Sequence, residues 1–160
     1  MLVDSGFHME GLCLLNASLE VNVENAICEC IKADDKTGKM IKRIDQEILL
    51  ELLEKIGKSA EDNYYHEEYL AKIVKAKEIY KHRNAYVHAL ELPEKEKTLS
   101  VKQRRELESL MYEFIDERES RSWYESQERL ASGNDASAIS IIEKFITEWR
   151  KKKDKNSENC

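Results

Sequence analysis

A single proline, Pro93, and five glycines interrupt a chain of 160 residues. An all-β sandwich or barrel turns many times in that length and draws on Gly and Pro to do so, which excludes that class. Long apolar runs are also missing. No stretch approaches the ~20 residues that cross a bilayer, and no membrane partner is expected. Residues 1–8 hold no basic region followed by an apolar one, so no secretory leader is expected and the protein is placed in the cytoplasm. The four cysteines, Cys13, Cys28, Cys30 and Cys160, lack a C-x-x-C spacing. Cys13, Cys28 and Cys30 fall in apolar sequence and read as buried thiols of a reducing compartment. An excess of positive charge is absent too: the net charge is −6. That excludes a protein that coats nucleic acid through its overall charge, but not a nuclease with a local basic patch.

What remains is a composition for helices. Charged residues make up 36% and hydrophobic ones 41% of the chain, with Glu, Lys, Leu and Ile abundant. Leu12, Leu15, Leu19, Val23, Ile27 and Ile31 recur at helical spacing, and the helix is expected to stop near Asp34-Asp35-Lys36-Thr37-Gly38, where Gly38 suits a break. Ile41, Ile44, Ile48, Leu49, Leu52, Leu53 and Ile56 mark a second helix. Tyr69, Leu70, Ile73, Val74, Tyr80 and Val87 mark a third, which Pro93 closes. Ser100-x-x-Gln103 is a capping-box start for a helix through Leu107, Leu110, Met111, Phe114 and Ile115. A short piece holds Trp123 and Leu130, and the turn at 132–135 leads into a last helix through Ile142, Ile146 and Trp149. The expected fold is all-α, an up-down bundle of four to five helices. One domain is expected over residues 1–153, with a disordered tail at 154–160.

Charge is unevenly spread along this pattern. Asp45 to Glu68 holds eight acids against Lys55 and Lys58, a net −6 that reads as a solvated acidic face. From Lys72 to Arg83 the sign inverts to +4. The run Arg150–Lys153 reads as a complement to the dipole at a helix end, with contact to RNA as the alternative.

The familiar nucleotide-binding, nucleophile-elbow and zinc motifs are absent, and no metal or cofactor is expected. One cluster stands apart, Lys81-His82-Arg83-Asn84-Ala85-Tyr86-Val87-His88. It sets a guanidinium, an amide and an imidazole within six residues. Asn84 and His88 share a helical face, with Tyr80 one turn before Asn84. Arg83 and His88 stand about 140° apart around an ideal helix, a gap that a long Arg side chain can span. Singly, Arg83 reads as a helix residue paired with Glu78 or Glu91, and His88 as a helix-end residue that meets terminal carbonyls.

Taken together, Arg83-Asn84-x-x-x-His88 near the end of a long amphipathic helix in an all-α chain resembles the HEPN superfamily. Its hallmark is Arg, four to six residues, then His, with a polar residue after the Arg. Leu90 stands where one toxin branch of that family carries a Tyr. The resemblance implies a HEPN-like bundle and a metal-independent endoribonuclease, of the kind found in toxin, stress or phage-defence systems. It implies a homodimer in which two motifs face one cleft, and an inhibitor or antitoxin protein that restrains it. Arg83, His88 and Asn84 would be the catalytic set. Lys77, Lys81, His82 and Tyr80 would contact RNA. Lys72 and Lys75 could extend that path, or all these lysines could form a solvated basic face. Tyr64, Tyr65 and Tyr86 could stack on bases, although packing explains them as well. The alternative is a non-catalytic HEPN-like module that dimerises or holds a partner.

Overall fold

A computed structural model describes residues 8–59, 67–89 and 100–158, and all regular structure among them is helical. Seven helices follow one another: α1 (His8–Cys30), α2 (Asp35–Ile41), α3 (Gln46–Ser59), α4 (Glu67–Ala89), α5 (Val101–Ile115), α6 (Arg121–Ala131) and α7 (Ala136–Glu158). The all-α expectation holds, with more helices than the four to five expected. No helix among the described residues is long and apolar enough to cross a membrane. Pro93, Tyr64, Tyr65, Leu90 and Glu91 lie outside the described residues.

α1 is the central element and touches each of the other six helices. Its apolar residues explain this: Leu12, Leu19, Val23, Ala26, Ile27 and Cys30 are all buried. Two asparagines of α1 find partners inside. Asn16 and Gln46 exchange two hydrogen bonds of 3.1 Å. Asn22 Oδ1 accepts from Trp123 Nε1 and from Gln127 Nε2, each at 3.1 Å. Gln127 Oε1 in turn accepts from the Tyr69 hydroxyl at 2.6 Å. These bonds link α1, α4 and α6 without leaving the named groups unpaired, the condition for burying polar atoms at low cost. Trp123 is fully buried, with Tyr69 at 5.9 Å and the edge of Phe114 at 5.5 Å between ring centroids.

The first break is not at Gly38. α1 ends at Cys30, and Lys32 takes a left-handed backbone, φ 50°. The Lys32 N–H donates to Glu29 O at 3.2 Å and the Ala33 N–H to Cys28 O at 2.9 Å, the two bonds of a Schellman cap. Asp34 then starts α2, its Oδ1 accepting the Thr37 N–H at 2.7 Å. Gly38 lies inside α2. Its helical cost of roughly 1 kcal/mol is offset by a side-chain cap of similar size. Gly133, φ 71°, packs against this same end of α1: it turns the chain between α6 and α7, and a Cβ there would stand 3.1 Å from the Cys30 carbonyl oxygen. Gly133→Ala is expected to cost about 1–2 kcal/mol, and Lys32→Gly to add about 0.5 kcal/mol, because only Gly occupies this region freely. Urea unfolding of the two variants checks both signs.

The capping box of α5 is present as the sequence predicts: Ser100 Oγ accepts the Gln103 N–H at 3.1 Å and Gln103 Oε1 accepts the Ser100 N–H at 2.9 Å. Ion pairs join α4 to its neighbours. Glu54 on α3 receives Lys77 at 2.6 Å and Lys58 at 2.8 Å. Glu113 on α5 receives Lys72 and, at 2.7 Å, Lys75. These hydrogen-bonded lysines hold both carboxyls below the ordinary Glu value of 4.5. A depressed carboxyl stabilises the fold above its unfolded value and loses that contribution as pH falls through its folded value. Thermal stability is therefore expected to be level at neutral pH and to fall below pH 4.5, which a series of melts across the acid range measures.

α7 continues to Glu158, past the expected start of a disordered tail at Asp154. No Pro or Gly interrupts residues 134–158. The run Arg150–Lys153 consequently lies inside the helix, and the reading as a helix-end complement does not apply to it.

Candidate functional site

The last turns of α4 carry the polar cluster. At about 100° per residue, Lys77, Lys81, Asn84 and His88 fall within about 60° of one another and form one stripe. Arg83 lies off this stripe, but its head reaches it: Arg83 Nη1 donates to Asn84 Oδ1 at 2.8 Å. The guanidinium is thereby held at the side chain one turn before His88. Arg83 and Asn84 are half-buried and His88 is exposed.

Asn84 is fixed from the other side by Tyr80, with which it shares a hydrogen bond. The Tyr80 hydroxyl donates to Asp45 Oδ2 at 2.7 Å. Asp45 sits where α3 begins, and its Oδ1 accepts the Glu47 N–H at 2.9 Å. The carboxylate thus serves a helix start and a side chain 35 residues away. Burial pushes the Tyr80 hydroxyl above the usual phenol value; the Asn84 bond pulls it down and the Asp45 carboxylate raises it. The result is a chain, Asp45–Tyr80–Asn84–Arg83, that orients the guanidinium through three hydrogen-bonded partners.

Asp45 is the residue that sequence reasoning missed. It reads as one member of an acidic run, and nothing in the spacing joins it to Tyr80. Tyr80, read as an RNA contact, has its hydroxyl engaged by Asp45 and Asn84. Lys77, read in the same way, is bound to Glu54. Lys72 is buried and, with Lys75, is bound to Glu113. Lys81 and His82 are exposed, and Tyr86 is half-buried. The structure brings Arg83, Asn84 and Tyr80 into direct contact, places His88 one turn beyond them, and leaves Lys81 and His82 on the surface beside them.

Cys30 is buried, while Cys13 and Cys28 are half-buried. Burial, reinforced by the Asp135 and Glu143 carboxylates, pushes the Cys30 thiol up to about 11. Burial also raises the Cys28 thiol. Protonated thiols are poor nucleophiles. Among the described residues no three His, Cys, Asp or Glu side chains converge on a metal position.

Comparison with family models, with curated proteins and with solved structures finds no match to this chain.

Proposed function

We propose that the protein is a metal-independent endoribonuclease of HEPN type, acting as a homodimer whose two Arg83–His88 motifs share one RNA-binding cleft. The observation that supports this reading best is the Arg83–Asn84 bond. It draws the guanidinium toward the face that carries His88, although the two residues stand on different sides of the helix.

The chemistry suits these groups. RNA carries its own nucleophile, the 2′-hydroxyl. An imidazole near neutral pH takes that proton, and a second imidazole, from the partner protomer, protonates the departing 5′-oxygen. The guanidinium binds the phosphate as negative charge builds on it. The P–O5′ bond breaks as the 2′-oxygen bonds to phosphorus. The products are a 2′,3′-cyclic phosphate and a 5′-hydroxyl. DNA, lacking the 2′-hydroxyl, is not cut.

One His88 per chain cannot fill both proton-transfer roles, so the reading requires two chains. The exposed end of α4 offers Val87, 45% exposed, beside the motif. Light scattering at micromolar protein is expected to give a dimer, and cleavage of single-stranded RNA in EDTA is expected to proceed. A dimer that leaves RNA intact would favour the second reading, a non-catalytic module that uses the same face to hold a partner.

A further inference from the structure

α2 and α7 enclose a groove of about 570 Å³ whose wall includes Lys36, Lys39, Arg43, Arg150 and Lys153 against a single carboxylate, Asp154. This is a local excess of positive charge on a chain of net −6. All five cations are exposed, and among the described residues none is held in an ion pair, although the Asp34 carboxylate at the start of α2 lies close enough to Arg150 and Lys36 to feel both charges. Like charges so close repel one another, and an anion relieves that cost. Arg150 Nη2 donates to Thr37 Oγ1 at 2.7 Å, which ties α7 to α2 across the groove.

The groove also contains an aromatic face. Trp149, half-buried, lines it together with Met40. Phe145 stacks on the indole at 5.9 Å with 25° between the rings, so its orientation is preset. The Lys153 ammonium lies over the indole, 5.6 Å from its centroid, so a base stacks on Trp149 only as Lys153 turns aside to a phosphate. A preset indole flanked by cations matches a nucleotide, a flat base with an anionic phosphate on either side. Lys36 and Lys39 on α2 and Arg43, two residues beyond its end, spread over eight residues, more than one phosphate needs. The indole lies within a concave wall, whereas a membrane-binding helix projects its apolar side chains outward.

We propose that this groove binds single-stranded nucleic acid, with a base on Trp149 and successive phosphates along the α2 and α7 cations. The site is separate from the α4 motif, and a strand held here need not be cut. The test uses a short fluorescein-labelled oligo(dT), which no 2′-hydroxyl chemistry can cleave, so its outcome is independent of the cleavage reading. Anisotropy is expected to report salt-dependent binding to the wild-type protein. Indole emission is expected to be quenched on saturation, through Trp149, because Trp123 is fully buried. The doubly neutralised variant Lys39→Gln, Lys153→Gln is expected to bind about tenfold more weakly, with the log–log salt slope shallower by about 1.4. Both changes are at exposed positions, and circular dichroism checks the fold. Unchanged affinity and slope in this variant would overturn the proposal. So would binding without indole quenching, equal affinity for free dTMP, or phosphatidylserine vesicles binding where oligo(dT) does not.

Discussion

His88→Ala is expected to slow RNA cleavage in EDTA by at least about 100-fold, the usual scale for losing a positioned proton-transfer group. The side chain is exposed, so the variant should unfold at the wild-type temperature, and lost activity cannot be attributed to lost structure. Arg83→Ala should match it. Arg83→Lys should also fail largely, because an ammonium keeps the charge but not the planar fork that binds phosphate and Asn84 together. Rates on a defined single-stranded RNA, beside melts of each variant, read both effects. Full activity in the folded His88 variant would remove the assigned role.

A large structural effect is expected from Glu113→Leu, about 3 kcal/mol of lost stability. The Lys72 side chain is 7% exposed and is bound to the Glu113 carboxylate. Without it the buried ammonium keeps the Glu113 main-chain oxygen at 3.1 Å, the Glu119 carboxylate at 4.0 Å and the Phe114 ring face at 5.8 Å. Lys72→Met should cost much less, since Glu113 is 22% exposed and retains Lys75. The double variant should recover most of the loss, because the penalty comes from stranding a buried charge and not from breaking an attraction. Urea unfolding of the three variants forms the cycle. Equal losses in both single variants would contradict this account.

These lysines also mark the limit of what the sequence discloses. The helical period of Leu12, Leu19, Val23 and Ile27 and the pair Ser100–Gln103 are local patterns, and local patterns determine where a helix forms and which face it buries. The partners of Lys72, Lys75 and Lys77 lie on α3 and α5, far along the chain. A run of like charge therefore gives no sign that three of its members are already neutralised. Asp45 was hidden for the same reason, since its link to Tyr80 depends on how α3 meets α4. Gly38 misled because glycine tolerates a break without requiring one; the left-handed residue is Lys32. Arg83, Asn84 and His88 were legible as a motif because all three lie within six residues. The α2 cations and Trp149 were not legible as one groove, because 106 residues separate Arg43 from Trp149.

On the proposed reading, the α4 motif cleaves RNA by means of the 2′-hydroxyl that the RNA itself carries. End-group analysis of a defined single-stranded RNA, incubated with the wild-type protein in EDTA, tests it most directly. Fragments with 2′,3′-cyclic phosphate and 5′-hydroxyl ends are expected, and an intact strand where the 2′-hydroxyl is replaced by hydrogen. Uncut RNA, or fragments bearing 5′-phosphate ends, would contradict it.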